Sequence, residues 1–149
     1  MSIFSIATSG LSAASLRVNV AASNVANVRT TGPLPASDGS IASTVTGTSR
    51  IAPTFPAAYV PLRVDQVSQS SGSTPGGTIA TVSTVSPSYV AQSDPGAAFA
   101  NGDGLVAAPN VDIGSEFVQL AAAKYSFIAN AKVIQAYAET EKSLLDITA

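Results

Sequence analysis

All nine prolines of this 149-residue chain lie between Pro33 and Pro109, leaving the first 32 residues and the last 40 without one. Proline has no N–H to donate and its ring clashes with the preceding turn, so helix interiors exclude it. The two ends are therefore free to form long helices, and the middle is not. Eight of the eleven glycines also fall between Pro33 and Asn110. The chain divides into an N-terminal helix within residues 1–32, a loop and small β domain over 33–110, and a C-terminal helix within 111–149. The expected fold is mainly α with a small β middle. Its two long terminal helices form an antiparallel coiled coil, because a chain that climbs one helix and returns down the other ends near its start.

The first helix is expected from about Ser2 to Val28. Phe4, Ala7, Leu11, Ala14, Val18, Ala21, Val25 and Val28 recur at spacings of 3 and 4, all apolar, which is the seam of a coiled coil. A core helix of a globular domain shows a wider stripe at period 3.6. The flanking Ala13, Ala22 and Ala26 widen the apolar surface, so more than one side of this helix is expected to be covered. Gly10 and the scattered serines lower its intrinsic propensity, and alone in water such a helix is marginal.

The second helix is expected to start at Asp112, a favourable N-cap residue, with Glu116 in the first turn facing the positive end of the helix dipole. Ile113, Phe117, Leu120, Lys124, Phe127, Ala131, Ile134, Ala138, Glu141 and Leu145 repeat the same spacing, and eight of these ten are apolar. This seam carries bulky side chains where the first is rich in Ala and Val, a match that lets two helices interdigitate. Helices this long in so small a chain point to a coiled coil or a higher assembly.

In the middle, residues 33–56 are rich in Ser, Thr, Gly and Pro, with Asp38 and Arg50 as the only charges, and read as a long loop. From Leu62 to Val67 apolar and polar residues alternate as in a half-buried strand. Thr78 to Val85 forms a second strand after the turn signal Pro75-Gly76-Gly77. The two stretches make a small antiparallel hairpin, and Ser88 to Ala91 offers a further short strand. So small a sheet has little core of its own and packs on a helix or a neighbouring subunit.

Composition removes most enzyme chemistry. With no His and no Cys, neither a Ser–His nor a Cys–His nucleophile pair can be built, and a His/Cys zinc site has no ligands. Charged residues make up 11% of the chain and the net charge is −2, without the basic patch of a nucleic-acid binder. Mean hydropathy is high at +0.32, but the longest uncharged run, Gln66 to Ser93, is full of Ser, Thr, Gly and Pro and is not a bilayer span. The N-terminus lacks the basic region of a secretory signal peptide. Asp94-Pro95-Gly96 and Asn101-Gly102-Asp103-Gly104 resemble fragments of a calcium loop. Position twelve counted from Asp94 is Leu105 and not Glu, so turn chemistry is the better reading. A Ser–Lys dyad is a remote alternative. No catalytic, cofactor-binding or metal-binding residue is assigned, and no cofactor is expected.

Asn24 and Asn27, three apart near the end of the first helix, are poor for helix propensity and make sense if their amides bond across to a backbone or a neighbour. Gly32 suits a left-handed residue just past a helix C-terminus. The stretch from Ala21 through Asn24, Asn27, Thr31 and Gly32 resembles the N-terminal signature of the flagellar rod and hook axial proteins. The segment from Asp94 through Pro109, Asn110 and Asp112, together with the helix from Glu116 to Leu145, is similar to the C-terminal part of that family's proximal-rod branch, C type. Leu105 stands where that branch commonly has Tyr, and the loop over 33–56 is longer than its norm.

The resemblance implies a structural subunit and not an enzyme. Its assembly seam would comprise Phe4, Leu11, Val18, Val25, Val28, Ile113, Phe117, Leu120, Phe127, Ile134 and Leu145. Its partners would be further copies of itself and other rod subunits in a helical assembly, and the flagellar type III export apparatus, with no nucleic acid and no membrane span. It would be exported without a cleaved signal peptide and would sit in the periplasmic rod of the basal body. There it would transmit torque and enclose the export channel. The alternative is a secreted surface or adhesin-like binding module, suggested by the Ser- and Thr-rich middle, which needs no long terminal helices.

Overall fold

The computed structural model describes residues 2–35, 55–69 and 76–148. Most of the loop read over 33–56, and Pro75 of the turn signal, lie outside them. The element order is α1 (Ile3–Asn27), β1 (Leu62–Ser68), β2 (Thr78–Thr84), β3 (Tyr89–Ser93), β4 (Leu105–Pro109) and α2 (Ile113–Thr148). The chain forms two compact units. One combines Met1–Ser23, Leu62–Ser83 and Ile113–Ala149, and the other Asn24–Pro61 and Thr84–Asp112.

In the first unit the terminal helices pack antiparallel. Gly10 of α1 lies against Asn130 of α2, and seven residues further on the Arg17 guanidinium donates to Oε1 of Gln119. Partner numbers fall on α2 as they rise on α1, which fixes the direction. Ser2 caps α1, its Oγ accepting from the Ser5 N–H at 3.2 Å. The residues that α1 buries here are small: Ala7, Ala13, Ala14, Val20 and Ala21. Opposite them α2 buries Ala123, with Leu120, Ser126, Asn130 and Ile134 half-buried. Small side chains let two helix axes approach closely. The row on α1 includes Ala7, Ala14 and Ala21 of the expected seam. The two inter-helix contacts named above are made by residues beside the seams.

The β1–β2 hairpin belongs to the same unit. Its register is marked by Thr78 Oγ1 donating to the Val67 carbonyl at 3.2 Å and Gln69 N–H donating to the Gly77 carbonyl at 3.0 Å. Ser83 Oγ donates to the Asp65 carboxylate, which also pairs with Arg63 Nε at 3.3 Å. That ion pair is well exposed and contributes little by itself. The hairpin tip rests on α1: Thr78 N–H donates to Ser9 Oγ at 3.1 Å. Gly76 and Gly77 there have φ of 119° and 88°, a region that L side chains avoid.

The second unit is built on the antiparallel pair β3–β4, in register from Tyr89 opposite Pro109 to Ser93 opposite Leu105. The short strand expected near Ser88 is thus present, but it does not join the hairpin. It pairs with β4, a strand the sequence reading left unassigned. The reason is local. Leu105–Pro109 is five residues, three of them Val or Ala, ending in a proline. Its partner is known only once the chain has turned back through residues 94–104. That turn is made as expected by Asn and Gly chemistry. Asn101 Oδ1 accepts from the N–H groups of Asp103 and Leu105 at 3.0 and 2.8 Å, and Gly104 takes a φ of 72°.

Candidate assembly surface

Two features distinguish this molecule: a joint that ties its two sequence motifs together, and a long row of uncovered apolar side chains on α2. The joint starts at the end of α1. Asn24 is fully buried at 0% exposure and accepts a hydrogen bond from the Tyr59 hydroxyl at 3.0 Å. Asn27 accepts from the Thr30 N–H at its carbonyl, at 2.9 Å, and the chain leaves the helix there. Thr31 donates its N–H to the Arg29 carbonyl at 3.0 Å. Gly32 then exchanges two backbone hydrogen bonds with Ala107 of β4, at 3.0 and 2.9 Å.

The left-handed role expected for Gly32 is not what the structure shows. Its φ is not positive; among the described residues the glycines of positive φ are Gly76, Gly77 and Gly104. Gly32 is required by space instead. A Cβ on it would stand 2.2 Å from the Ala58 nitrogen and 2.8 Å from the Pro56 carbonyl oxygen. The backbone of residues 56–58 passes directly over it, and Tyr59 N–H donates to the Thr30 carbonyl at 3.0 Å.

The C-terminal motif closes the same joint. Pro109 is buried at the end of β4. Asn110 holds the start of β3 twice: its N–H donates to the Ser88 carbonyl at 3.0 Å and its Nδ2 to the Pro87 carbonyl at 2.9 Å. Asp112 directly precedes the first residue of α2, at the N-cap position. The structure therefore brings Asn24, Gly32, Pro109 and Asn110 into one unit with Tyr59 and Ala107. Neither of the last two is marked by any pattern in the sequence, since a lone Tyr in a loop and an Ala in a short strand have no periodicity to flag them.

The seam residues are placed as follows. On α1, Phe4 is exposed, while Leu11, Val18 and Val25 are half-buried, as is Val28 just beyond the helix. On α2, Leu120 and Ile134 are half-buried, while Ile113, Phe117, Phe127 and Leu145 are exposed, Phe117 at 59% and Leu145 at 67%. Outside the seam, Val118, Tyr125 and Ile128 are exposed as well, Tyr125 at 71%. A monomeric protein rarely presents so many large apolar residues along one element, and such a row marks an interaction surface. Few charges interrupt it. Near the C-terminal end, a hydrogen bond from Tyr137 to Glu141 and the charge of that carboxylate hold the phenol above its usual range.

Among the described residues no cluster of His, Cys, Asp or Glu is placed to hold a metal ion, and no helix is long and apolar enough to cross a membrane.

Residues 4–33 match the family model described as flagella basal body rod protein, and residues 103–147 match that of the flagellar basal body rod FlgEFG protein C-terminal region. The chain is also similar to the flagellar basal-body rod protein FlgC of Agrobacterium fabrum strain C58. The two are 29% identical over 142 residues, covering 95% of this chain and 90% of that relative. Gly32 lies in the first matched segment and Ala107 in the second, so the paired backbone bonds tie together the two regions by which this chain belongs to the flagellar basal-body rod protein family.

Proposed function

We propose that the chain is a structural subunit of the flagellar basal-body rod, of the proximal FlgC type, and that it works through packing and not through any single polar side chain. The observation that carries this is the row of large apolar side chains left uncovered along a 36-residue helix. A shaft that transmits torque needs many rigid, repeated apolar contacts, and this row supplies them when copies and other rod subunits stand side by side. The terminal helices then form the wall of a tube around an export channel. On this reading the subunit reaches the periplasm through the flagellar type III apparatus. The adhesin-like alternative has no use for two long terminal helices with an uncovered apolar row.

The test is replacement of Phe117 or Phe127 by Asp. Both side chains are exposed in the single chain, so the subunit folds, and its helicity by circular dichroism is expected to match the parent. In the assembly each change buries an unpaired carboxylate, at a cost of several kcal/mol per subunit. The expected result is export of the variants without recovery of completed rods in purified basal bodies, and loss of swimming. Asp103→Ala, at an exposed turn, is expected to swim normally. Normal motility of both Asp variants overturns the reading.

A further inference from the structure

The turn that joins β3 to β4 holds one side-chain amide in an unusual setting. Asn101 and the following Gly102 are both exposed. Asn101 Oδ1 accepts two main-chain hydrogen bonds, from the Asp103 N–H at 3.0 Å and the Leu105 N–H at 2.8 Å. The Asn101 backbone is fixed too: its N–H donates to the Leu105 carbonyl and its carbonyl accepts from the Gly104 N–H, each at 3.0 Å. The amide is thus folded back toward the chain that follows it, with its carbonyl polarised by two donors. Gly102 brings no side chain to obstruct an approach, and a Cβ on it would find nothing within 4 Å. Among the described residues no acceptor engages the Gly102 N–H.

Two N–H donors on a carbonyl oxygen, beside a nitrogen able to attack that carbonyl, are the parts of an oxyanion hole. We propose that Asn101 is a self-modifying site, which passes through a cyclic imide with Gly102 to an aspartyl or isoaspartyl residue. The Gly102 nitrogen gives its proton to solvent and bonds to Asn101 Cγ. The negative charge that develops on Oδ1 is received by the Asp103 and Leu105 N–H groups. As the tetrahedral centre collapses, the Cγ–Nδ2 bond breaks and Nδ2 leaves as ammonia, taking a proton from water. Water then opens the imide. Addition at Cγ breaks the new bond and gives Asp; addition at the main-chain carbonyl breaks the original peptide bond and leaves the chain running through Cγ, one carbon longer. One water is consumed and one ammonia released, and nothing is oxidised or reduced. The product adds one negative charge to the net −2 of the chain. An aspartate keeps both acceptor contacts and strengthens them by its charge. An isoaspartate shifts them out of place and loosens the turn that pairs β3 with β4.

The other five asparagines lack this arrangement. Asn19, Asn24 and Asn130 lie inside helices, where the next N–H is bonded one turn back. The N–H after Asn27 donates to the Val25 carbonyl at 3.5 Å, and the N–H after Asn110 to the Pro109 carbonyl at 2.9 Å. The neighbouring Asp103-Gly104 pair is closed to the same route, because the Gly104 N–H is held by Asn101.

The experiment incubates the full-length chain at neutral pH, folded in buffer and unfolded in urea, and follows each asparagine by peptide mapping and mass spectrometry. Hydroxylamine, which cuts a chain at a cyclic imide, is the second probe. Conversion is expected at Asn101 alone, with hydroxylamine cleavage between residues 101 and 102. The folded chain is expected to convert about tenfold faster than the unfolded one, the gain from one strengthened hydrogen bond in the transition state. Gly102→Ala, whose methyl has free space, is expected to fold as the parent does and to keep its Asn101 amide. An unfolded chain that converts as fast as the folded one overturns the proposal, since the turn then contributes nothing. So does conversion of Gly102→Ala at the parent rate, or equal conversion at the other asparagines.

Discussion

Gly10 and Asn130 meet across the two terminal helices so closely that a Cβ on Gly10 would stand 2.5 Å from the Asn130 Oδ1. In an exposed helix interior, Gly→Ala stabilises by roughly 1 kcal/mol through propensity. Here the sign reverses. Asn130 is half-buried and its Nδ2 donates to the Ser126 carbonyl at 2.8 Å, so moving it aside costs that bond. Gly10→Ala is expected to lower stability by about 1–2 kcal/mol in urea unfolding. Adding Asn130→Ala should recover the loss, since the two positions couple directly. Equal and additive effects of the two changes would rule out the contact.

Gly32→Ala is expected to be more severe, because its obstacle is backbone. The added methyl meets the Ala58 nitrogen and the Pro56 carbonyl, neither of which has a rotamer to yield, and the Gly32–Ala107 bonds must lengthen as the strands part. A loss of about 3 kcal/mol is expected. Gly102→Ala has nothing within 4 Å of its new Cβ and should stay within about 0.5 kcal/mol of the parent. Thermal unfolding of the two variants side by side checks both figures.

The buried amide of Asn24 is the polar centre of the joint. Tyr59→Phe removes one donor to it and is expected to cost about 1 kcal/mol. Asn24→Leu keeps the volume but leaves the Tyr59 hydroxyl without its acceptor, and is expected to cost about 2–3 kcal/mol. Equilibrium unfolding of the two variants and their combination should show the double costing less than the sum. A strictly additive result would mean that the hydroxyl and the amide act independently.

The helices were legible in the sequence because proline exclusion and heptad spacing are properties of the chain taken one segment at a time. Both helices begin and end within a few residues of the expected points, and the β1–β2 hairpin followed from alternation around a glycine turn. What stayed hidden depends on residues far apart in sequence. Pairing of β3 with β4 is set by the turn at Asn101 and by Asn110 reaching back to Pro87 and Ser88. Gly32 is explained by the passage of residues 56–58 and not by its own dihedral angles. The α1–α2 contact runs through Gly10 and Arg17, small or polar residues that a search for apolar spacing passes over.

The seat of the hairpin on α1 gives a last prediction. Ser9 Oγ donates to the Ile6 carbonyl at 2.7 Å and so presents its lone pair to the Thr78 N–H. Gly77 sits against it with a φ of 88°, and a Cβ there would lie 2.6 Å from that oxygen. Ser9→Ala removes the acceptor but fills no space, and improves helix propensity slightly. Its net cost is expected to be about 1 kcal/mol or less. Gly77→Ala strains the backbone and also strikes Ser9, and is expected to cost about 2 kcal/mol. Hydrogen exchange separates this seat from a general loss of stability. In both variants the Thr78 amide should exchange faster, while the amide of Ala107, bonded to Gly32 in the other unit, keeps its protection. Loss of protection at Ala107 to the same degree would show that the hairpin is not locally held, and the seat at Ser9 would then have no separate role.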